Sequence, residues 1–517
     1  MRARTTYGTT GSTSARRDAG WRGGWIALAG VVLALVGTPV AGQQAAAQLT
    51  LEDAIALAKG SNPGFLSTQN DQAAANWQVR EAYAQFLPSV DANLTGAWQA
   101  AGQQRVGTIV FDDQITDWYY SFYGINLGMT IDGNAIFAIP NARANSRATE
   151  ARISAAEFDL ESQVAFQYMT VLRAQEGFDV AERQLERMQQ NLEIVQTRVA
   201  TGAAAGTEGT QAEVDLGRAE VTLIQAERAL RQARLVLSEQ VGVVVDESTV
   251  LASEFDVFEP DFDAEELMGM ALDAHPSLMS MRSQESAARA AARQASTSQY
   301  LPSLRLAARF SGQAQEALNN QYVVRQVENR AESRIAGCQF NNILANGLNG
   351  GFPGYPQDCT QYAATDADRQ AAVAQNSAFP FDFTSIPAQI SATLSIPVFS
   401  GFSRERQVSE ARNRAEDAEY NRRAEELRLR TAVQSTYDNL LSANRLVQAE
   451  ARNLELSEAR LVLEQRRYAL GAADLLLLLD AQTALSTAEQ GYLNAVYDFH
   501  YNLIALEASV GQTLRPR

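Results

Sequence analysis

Histidine and cysteine are nearly missing from this chain. Its 517 residues hold two of each, so a catalytic dyad or metal cluster built on those side chains has little to draw on. No zinc-type Cys/His spacing, phosphate-binding Gly loop or nucleophile elbow occurs, and neither an enzyme nor a bound cofactor or metal is expected. Basic charge is also short. Lys and Arg number 43 against 60 Asp and Glu, leaving a net charge of −17 and a pI of about 4.8. That balance disfavours nucleic acid as a partner, because phosphate contacts need a basic field. Long apolar runs are missing as well. The longest, residues 25–36, has 12 residues, and a helix needs about 20 to span a bilayer. A multi-helix membrane protein is therefore disfavoured. The length itself calls for several domains or one very extended one.

What is present begins with an export signal. Arg2, Arg4, Arg16, Arg17 and Arg22 precede the apolar run, Pro39 breaks it, and Ala45, Ala46 and Ala47 fit a cleavage site before Gln48. The run is short for an uncleaved anchor. Arg16-Arg17 raises twin-arginine export, but its flanks fit poorly, and ordinary secretion is the simpler reading. Loss of residues 1–47 removes five Arg and one Asp and takes the net charge from −17 to −21. Cys338 and Cys359 lie 21 positions apart in an Asn- and Gly-rich stretch. In an exported protein such a pair is most simply one disulfide, two free thiols being the other reading.

The mature chain is a duplication. Leu51 to Ala58 followed by Asn62-Pro63 matches Ala264 to Ala271 followed by His275-Pro276, at an offset of 213. Leu87-Pro88-Ser89 matches Leu301-Pro302-Ser303 at 214, and Arg198-x-Ala-x-Gly202 matches Arg467-x-Ala-x-Gly471 at 269. The second offset then holds without a gap to Val241-Gly242 and Val510-Gly511. One net insertion of 55 residues in the second half accounts for the change. The two repeats are placed at 48–261 and 262–517.

Helical periodicity fills 64–86, 141–200 and 208–241, then 277–300, 402–470 and 475–510. Apolar residues at three- and four-residue steps over such lengths point to coiled-coil packing. In each half the two short helices together nearly equal the long one, so they would stack end to end beside it in a rod of about 90–100 Å. Four strands are expected between the helices, at about 89–98, 119–132, 303–311 and 386–399. Each alternates apolar with polar residues over about 10 positions, the pattern of an outer-membrane barrel strand. A soluble sheet with one buried face would alternate in the same way. Trp98, Trp118, Tyr119, Tyr120 and Tyr123 cluster where an interfacial girdle would fall. Four strands cannot close a useful pore, and open edges in lipid cost several kcal/mol per unpaired group. Several chains must then share one barrel, and three give 12 strands.

The paired helix openings, the alternating strands, the entry Ile396-Pro397-Val398-Phe399-Ser400-Gly401 into a long Arg/Glu-rich helix, and the two Arg-x-Ala-x-Gly turns together resemble the TolC family of outer-membrane efflux and secretion ducts. The resemblance covers nearly the whole mature chain. It implies a mainly α fold with β: duplicated long helical hairpins forming an α-barrel, and four transmembrane strands per chain in the 12-stranded barrel of a homotrimer. It further implies an outer-membrane, lipid-embedded location with a long periplasmic extension. The partners would be a periplasmic adaptor and an inner-membrane efflux or secretion transporter, which drives this passive exit duct. The rival reading is a periplasmic coiled-coil scaffold or adaptor without a pore.

Both Arg-x-Ala-x-Gly turns would lie at the tip farthest from the membrane. Arg198, Gly202, Arg467 and Gly471 there are helix caps and, by the resemblance, candidates for adaptor docking. Asp480 falls where the family places a pore aspartate, although its usual partner position holds Leu477. Glu208 and Asp474 lie nearby. Repeated around an axis, these carboxylates would form an acidic ring. The plainer reading is an acidic first helical turn. Tyr468 matches the family's constriction tyrosine, while the basic residue expected after it is replaced by Ala473. Residues 475–479 form an apolar run suited to interhelical packing or a hydrophobic constriction. Residues 313–385, with the Cys pair, read as an extracellular loop, His275 as a helix cap and His500 as a packing residue.

Overall fold

The computed structural model describes residues 48–515, apart from 107, 115, 247, 248, 253, 254, 349, 350 and 352. The export signal and its cleavage site lie outside the described residues. The first repeat comprises β1 (Gln48–Leu49), α1 (Leu51–Ser61), α2 (Pro63–Ala84), β2 (Ser89–Gln99), β3 (Gly102–Val106), β4 (Ile109–Gln114), β5 (Trp118–Ile131), α3 (Gly133–Ala200) and α4 (Gly206–Val241). An irregular segment with β6 (Val250–Leu251) leads to α5 (Ala264–Ala274), α6 (Pro276–Ser298), β7 (Ser303–Ala317), α7 (Asn320–Gly347), α8 (Asp366–Gln375), β8 (Thr384–Ser395), α9 (Ser403–Ala469) and α10 (Leu475–Val510).

The long helices α3 and α9 have 68 and 67 residues, about 100 Å each. The short helices α2 and α4 lie along α3, and α6 and α10 along α9; α6 and α10 also pack against α3. The layer therefore has α2 and α4 on one edge and α9 on the other. Among the described residues no helix is long and apolar enough to cross a membrane.

The duplication sets the joints of the rod. Asn62 ends α1 and caps α2, accepting from Phe65 N at 3.0 Å, while its amide donates to Gln240 O at the end of α4 at 2.8 Å. His275 does the same one repeat later. Its Nδ1 accepts from Ser277 N at 3.1 Å, and its Nε2 meets Ala508 O at 2.9 Å. Because Nδ1 is an acceptor, the proton sits on Nε2, which is the donor to that carbonyl. A helix cap is thus also the tie between two stacked helices. Gly242 and Gly511, both with positive φ, let the chain turn tightly against these joints. A Cβ on Gly242 would stand 2.4 Å from Ser61 O.

A second pair of ties obeys the same offsets. Tyr168 of α3 has its hydroxyl 2.7 Å from Leu49 O and 2.9 Å from Ala252 O, and Tyr437 of α9 donates to Phe262 O at 3.1 Å. Each long helix thereby holds the segment that enters its repeat. Two equivalent cores surround these ties. Val164, Tyr168, Leu172, Leu237 and Val241 pack with Ala54 and Ala58, while Val433, Leu440, Phe499, Leu506 and Val510 pack with Leu267 and Ala271. Each large apolar side chain buried there contributes about 1.5–3 kcal/mol.

The four-stranded sheet has the order β2-β5-β7-β8, antiparallel throughout. Its register aligns the alternation of every strand. Leu127 stands opposite Val90 and Ala308, Ile125 opposite Ala92 and Phe310, and Ala308 opposite Ile390. One face is consequently apolar over most of the four strands, with Glu316 opposite Tyr119 as a charge at its loop end, and the other is mainly polar. β7 runs to Ala317, beyond the expected end at 311, because β5 offers partners up to Trp118. β8 stops at Ser395, short of 399, since Pro397 has no N–H to give the ladder. Residues 313–385 do not form a plain loop. They contain α7, a 3₁₀ turn at Cys359–Tyr362, and α8 with a Thr365/Asp368 capping box. Cys338 and Cys359 are joined, tying α7 to the 3₁₀ turn. The hairpin β3–β4 was likewise not expected from the sequence.

Candidate functional site

At the end of the rod away from the sheet, the two turns superimpose in kind. Gly202 has φ +77° and Gly471 φ +71°. Ala203 N donates to Arg198 O and Ala472 N to Arg467 O, each at 2.8 Å. This closes both helices with left-handed caps. A Cβ at either glycine would meet nothing within 4 Å, so only the backbone angle requires glycine there.

Between the turns lies a link joining the two hairpins. Arg198, from the end of α3, donates from Nη1 to Tyr468 O at 2.6 Å, and its guanidinium carbon stands 4.0 Å from the centre of the Tyr468 ring. The Tyr468 hydroxyl donates to Glu208 Oε2 on α4 at 3.2 Å. Tyr468 is only 2% exposed and packs among Val195, Ala212, Leu461 and Leu478. Burial pushes its phenol up from the ordinary value, Arg198 opposes that, and the hydrogen bond to Glu208 adds to it. Arg198 therefore does more than close its own helix, and the link spans 270 positions in sequence.

The other expected residues have local partners. Glu208 Oε1 also accepts from Ala205 N at 3.3 Å, and Asp474 caps α10 by accepting from Leu477 N at 3.0 Å. Asp480 pairs with Arg460 of α9 at 2.5 Å, and Arg467 with Glu464 in its own helix at 2.8 Å. Each candidate carboxylate thus has a partner within the chain. Arg187 and Glu489, a bidentate pair between α3 and α10 with contacts of 3.0 and 2.6 Å, carried no local sequence signal. In the apolar run, Leu475 and Leu478 are buried while Leu476 and Leu477 face outward.

At the opposite end, Trp98, Tyr119 and Tyr123 share the apolar face of the sheet, whereas Trp118 and Tyr120 fall on the polar one. Phe379 packs on Tyr119 at 5.2 Å and Phe383 on Tyr123 at 4.9 Å, and Ser121 donates to Pro380 O at 2.6 Å. The residues just before β8 therefore extend the aromatic band over the apolar face.

Duplicated long hairpins running into strands with one apolar and one polar face define a channel protomer of the TolC type. Among solved structures, the chain is similar to the outer membrane channel CmeC of Campylobacter jejuni, with a TM-score of 0.66 and 14% identity over 89% of this chain and 85% of that one. It is also similar to the open state of the MtrE channel of Neisseria gonorrhoeae (0.63, 18%, 90% and 90%) and to the outer membrane protein VceC of Vibrio cholerae (0.62, 16%, 90% and 96%). None of the curated proteins matches the chain in sequence. The profile of the outer membrane efflux protein family matches residues 54–243 and 362–512. The chain belongs to that family, and its place is the outer membrane.

Proposed function

We propose that three copies of this chain form a passive exit duct: a closed 12-stranded barrel in the outer membrane continued by a helical tunnel into the periplasm. The observation that carries this reading is the state of the two edges. β2 and β8 are exposed at every residue, with Val90, Leu94, Trp98, Ile390 and Leu394 among them. Open edges in lipid are costly, and closure on neighbouring copies removes them. Two copies would give eight strands, whose interior is filled by side chains. Three give the next even closure with room for a conduit. The helical layer supports the same closure. Val214, Val221 and Leu235 on α4, and Leu456 and Leu463 on α9, are exposed on opposite edges. Val214 and Val221 on one side, and Leu456 and Leu463 on the other, stand seven residues apart at similar distances from the tip, which suits a coiled-coil seam between copies.

In this duct the Arg198–Tyr468–Glu208 link holds the two hairpins of each protomer together and keeps the tip narrow. Asp474 and Asp480 lie near the opening. The turns at Arg198–Gly202 and Arg467–Gly471 receive a periplasmic adaptor, which couples the duct to an inner-membrane transporter of a tripartite efflux pump or a type I secretion system. Residues 1–47 direct export, and 48–261 and 262–517 act as the two halves of the protomer. Planar-bilayer recording of the purified protein, with its mass measured in detergent, tests the proposal. Discrete conductance from a trimer is expected; a non-conducting monomer would sink it.

A further inference from the structure

The polar face of the sheet carries an excess of positive charge in a strongly acidic chain. Arg305 and Arg309 both project from β7 on that face, and both are exposed. They are four residues apart, about 13 Å along the strand. Their cross-strand neighbours are uncharged: Thr130 and Thr393 for Arg305, Asn126 and Gln389 for Arg309. Among the described residues no carboxylate stands within ion-pair distance of either. Within the four strands, Asp91 is the one carboxylate on this face; Asp132, just past β5, lines the same hollow as Arg305 but is engaged in capping α3, accepting from Ala135 N at 2.7 Å. Asp91 lies opposite Asn126, two strands and about 10 Å away from Arg309. The Arg309 guanidinium sits 5.5 Å from the centre of the Phe122 ring, which shares the face and steadies it.

We infer that Arg305 and Arg309 form stacked basic rings inside the barrel that select oligoanionic solutes, bearing two or more phosphate or carboxylate groups. The inference rests on the duct reading, which puts the polar face in the lumen. Charge on the apolar face would instead meet lipid, at a cost of several kcal/mol near the bilayer centre. Three copies bring six arginines against three strand aspartates into one enclosed space, the three Asp132 carboxylates at its lower rim being held by the α3 caps. Low-dielectric walls focus that field, and guanidinium groups match phosphate and carboxylate oxygens in a two-point fork. A solute with a single negative charge satisfies one ring at most, whereas an oligoanion engages several arginines together.

The test uses tripolyphosphate as the probe. It is added on the barrel-mouth side of a bilayer holding the full-length protein, and its binding to detergent-solubilised protein is measured by equilibrium dialysis. Dialysis reads the rings even with the tip closed. Block and binding are expected in the natural chain, with half-saturation rising by about fivefold or more in the double variant Arg305→Gln/Arg309→Gln, the value of one unit-charge contact in water. The charge-preserving Arg305→Lys/Arg309→Lys should keep most of the effect, and Arg152→Gln, which removes a surface arginine of α3 paired with Asp71, should leave it unchanged. Equal binding in the natural chain and the Gln variant, both conducting, would overturn the basic rings while leaving the duct intact. Absence of conductance from every form would overturn the duct itself, and the rings with it.

Discussion

Breaking the tip link should open the channel, and the structure ranks its parts. Tyr468→Phe removes only the hydroxyl that donates to Glu208 at 3.2 Å. That is long for an O–H···O⁻ bond, so the low end of the range for charged partners, about 1.5 kcal/mol, applies. Arg198→Ala removes a 2.6 Å hydrogen bond to Tyr468 O and a cation–ring contact at 4.0 Å, together about 2–4 kcal/mol. If the closed tip relies on these contacts, the open-to-closed ratio per protomer rises about tenfold in Tyr468→Phe, and about thirtyfold or more in Arg198→Ala. Single-channel recording should show larger and longer openings, in the order Arg198→Ala, Tyr468→Phe, natural chain. Circular dichroism should show unchanged helix content. Unaltered conductance in both variants, or a larger effect from Tyr468→Phe, would refute the assignment of the link to the closed state.

Gly242→Ala should destabilise the protein by more than the roughly 1–3 kcal/mol of a left-handed non-glycine residue, because the new Cβ would also press on Ser61 O. Gly202→Ala, with open space around it, should show the backbone cost alone, and equal melting temperatures for the two would contradict this. His500 is buried, and that burial, helped by Arg515, lowers its pKa to about 4. Below the unfolded value near 6.5 the unfolded chain binds a proton that the folded chain refuses, so stability falls by about 3 kcal/mol as pH drops from 6.5 towards 4. Melting curves against pH should lose this slope in His500→Phe, and an unchanged slope would refute it.

The architecture was legible because duplication and periodicity are local signals. The offsets 213 and 269 identified the helices, and they also pair Tyr168 with Tyr437 and Asn62 with His275 in function. The sheet was legible because each strand's alternation survives in the register. What escaped the sequence was held by long-range or weakly patterned features. α7 is rich in Asn and Gln with no marked apolar face, so it read as a loop. Arg198 read as a helix cap because its partner lies in the other repeat. Asp480 read as a bare pore charge because Arg460, 20 residues earlier on the neighbouring helix, carried no motif. Helical periodicity reads from 141, yet α3 starts at Gly133 and continues through Pro140. Gly133 allows close approach to α6, a Cβ there standing 2.7 Å from Ser298 Cα.

The two bare sheet edges have a kinetic consequence. A single four-stranded sheet has no stable place in lipid, and its apolar face has none in water. In the proposed trimer, strand insertion and association of copies would therefore be one event. The rate of membrane entry should climb more steeply than in proportion to the amount of chain present. Dilute chains should accumulate outside the bilayer with their helices formed and their strands unpaired. In the proposed duct, quaternary assembly is the final step of folding.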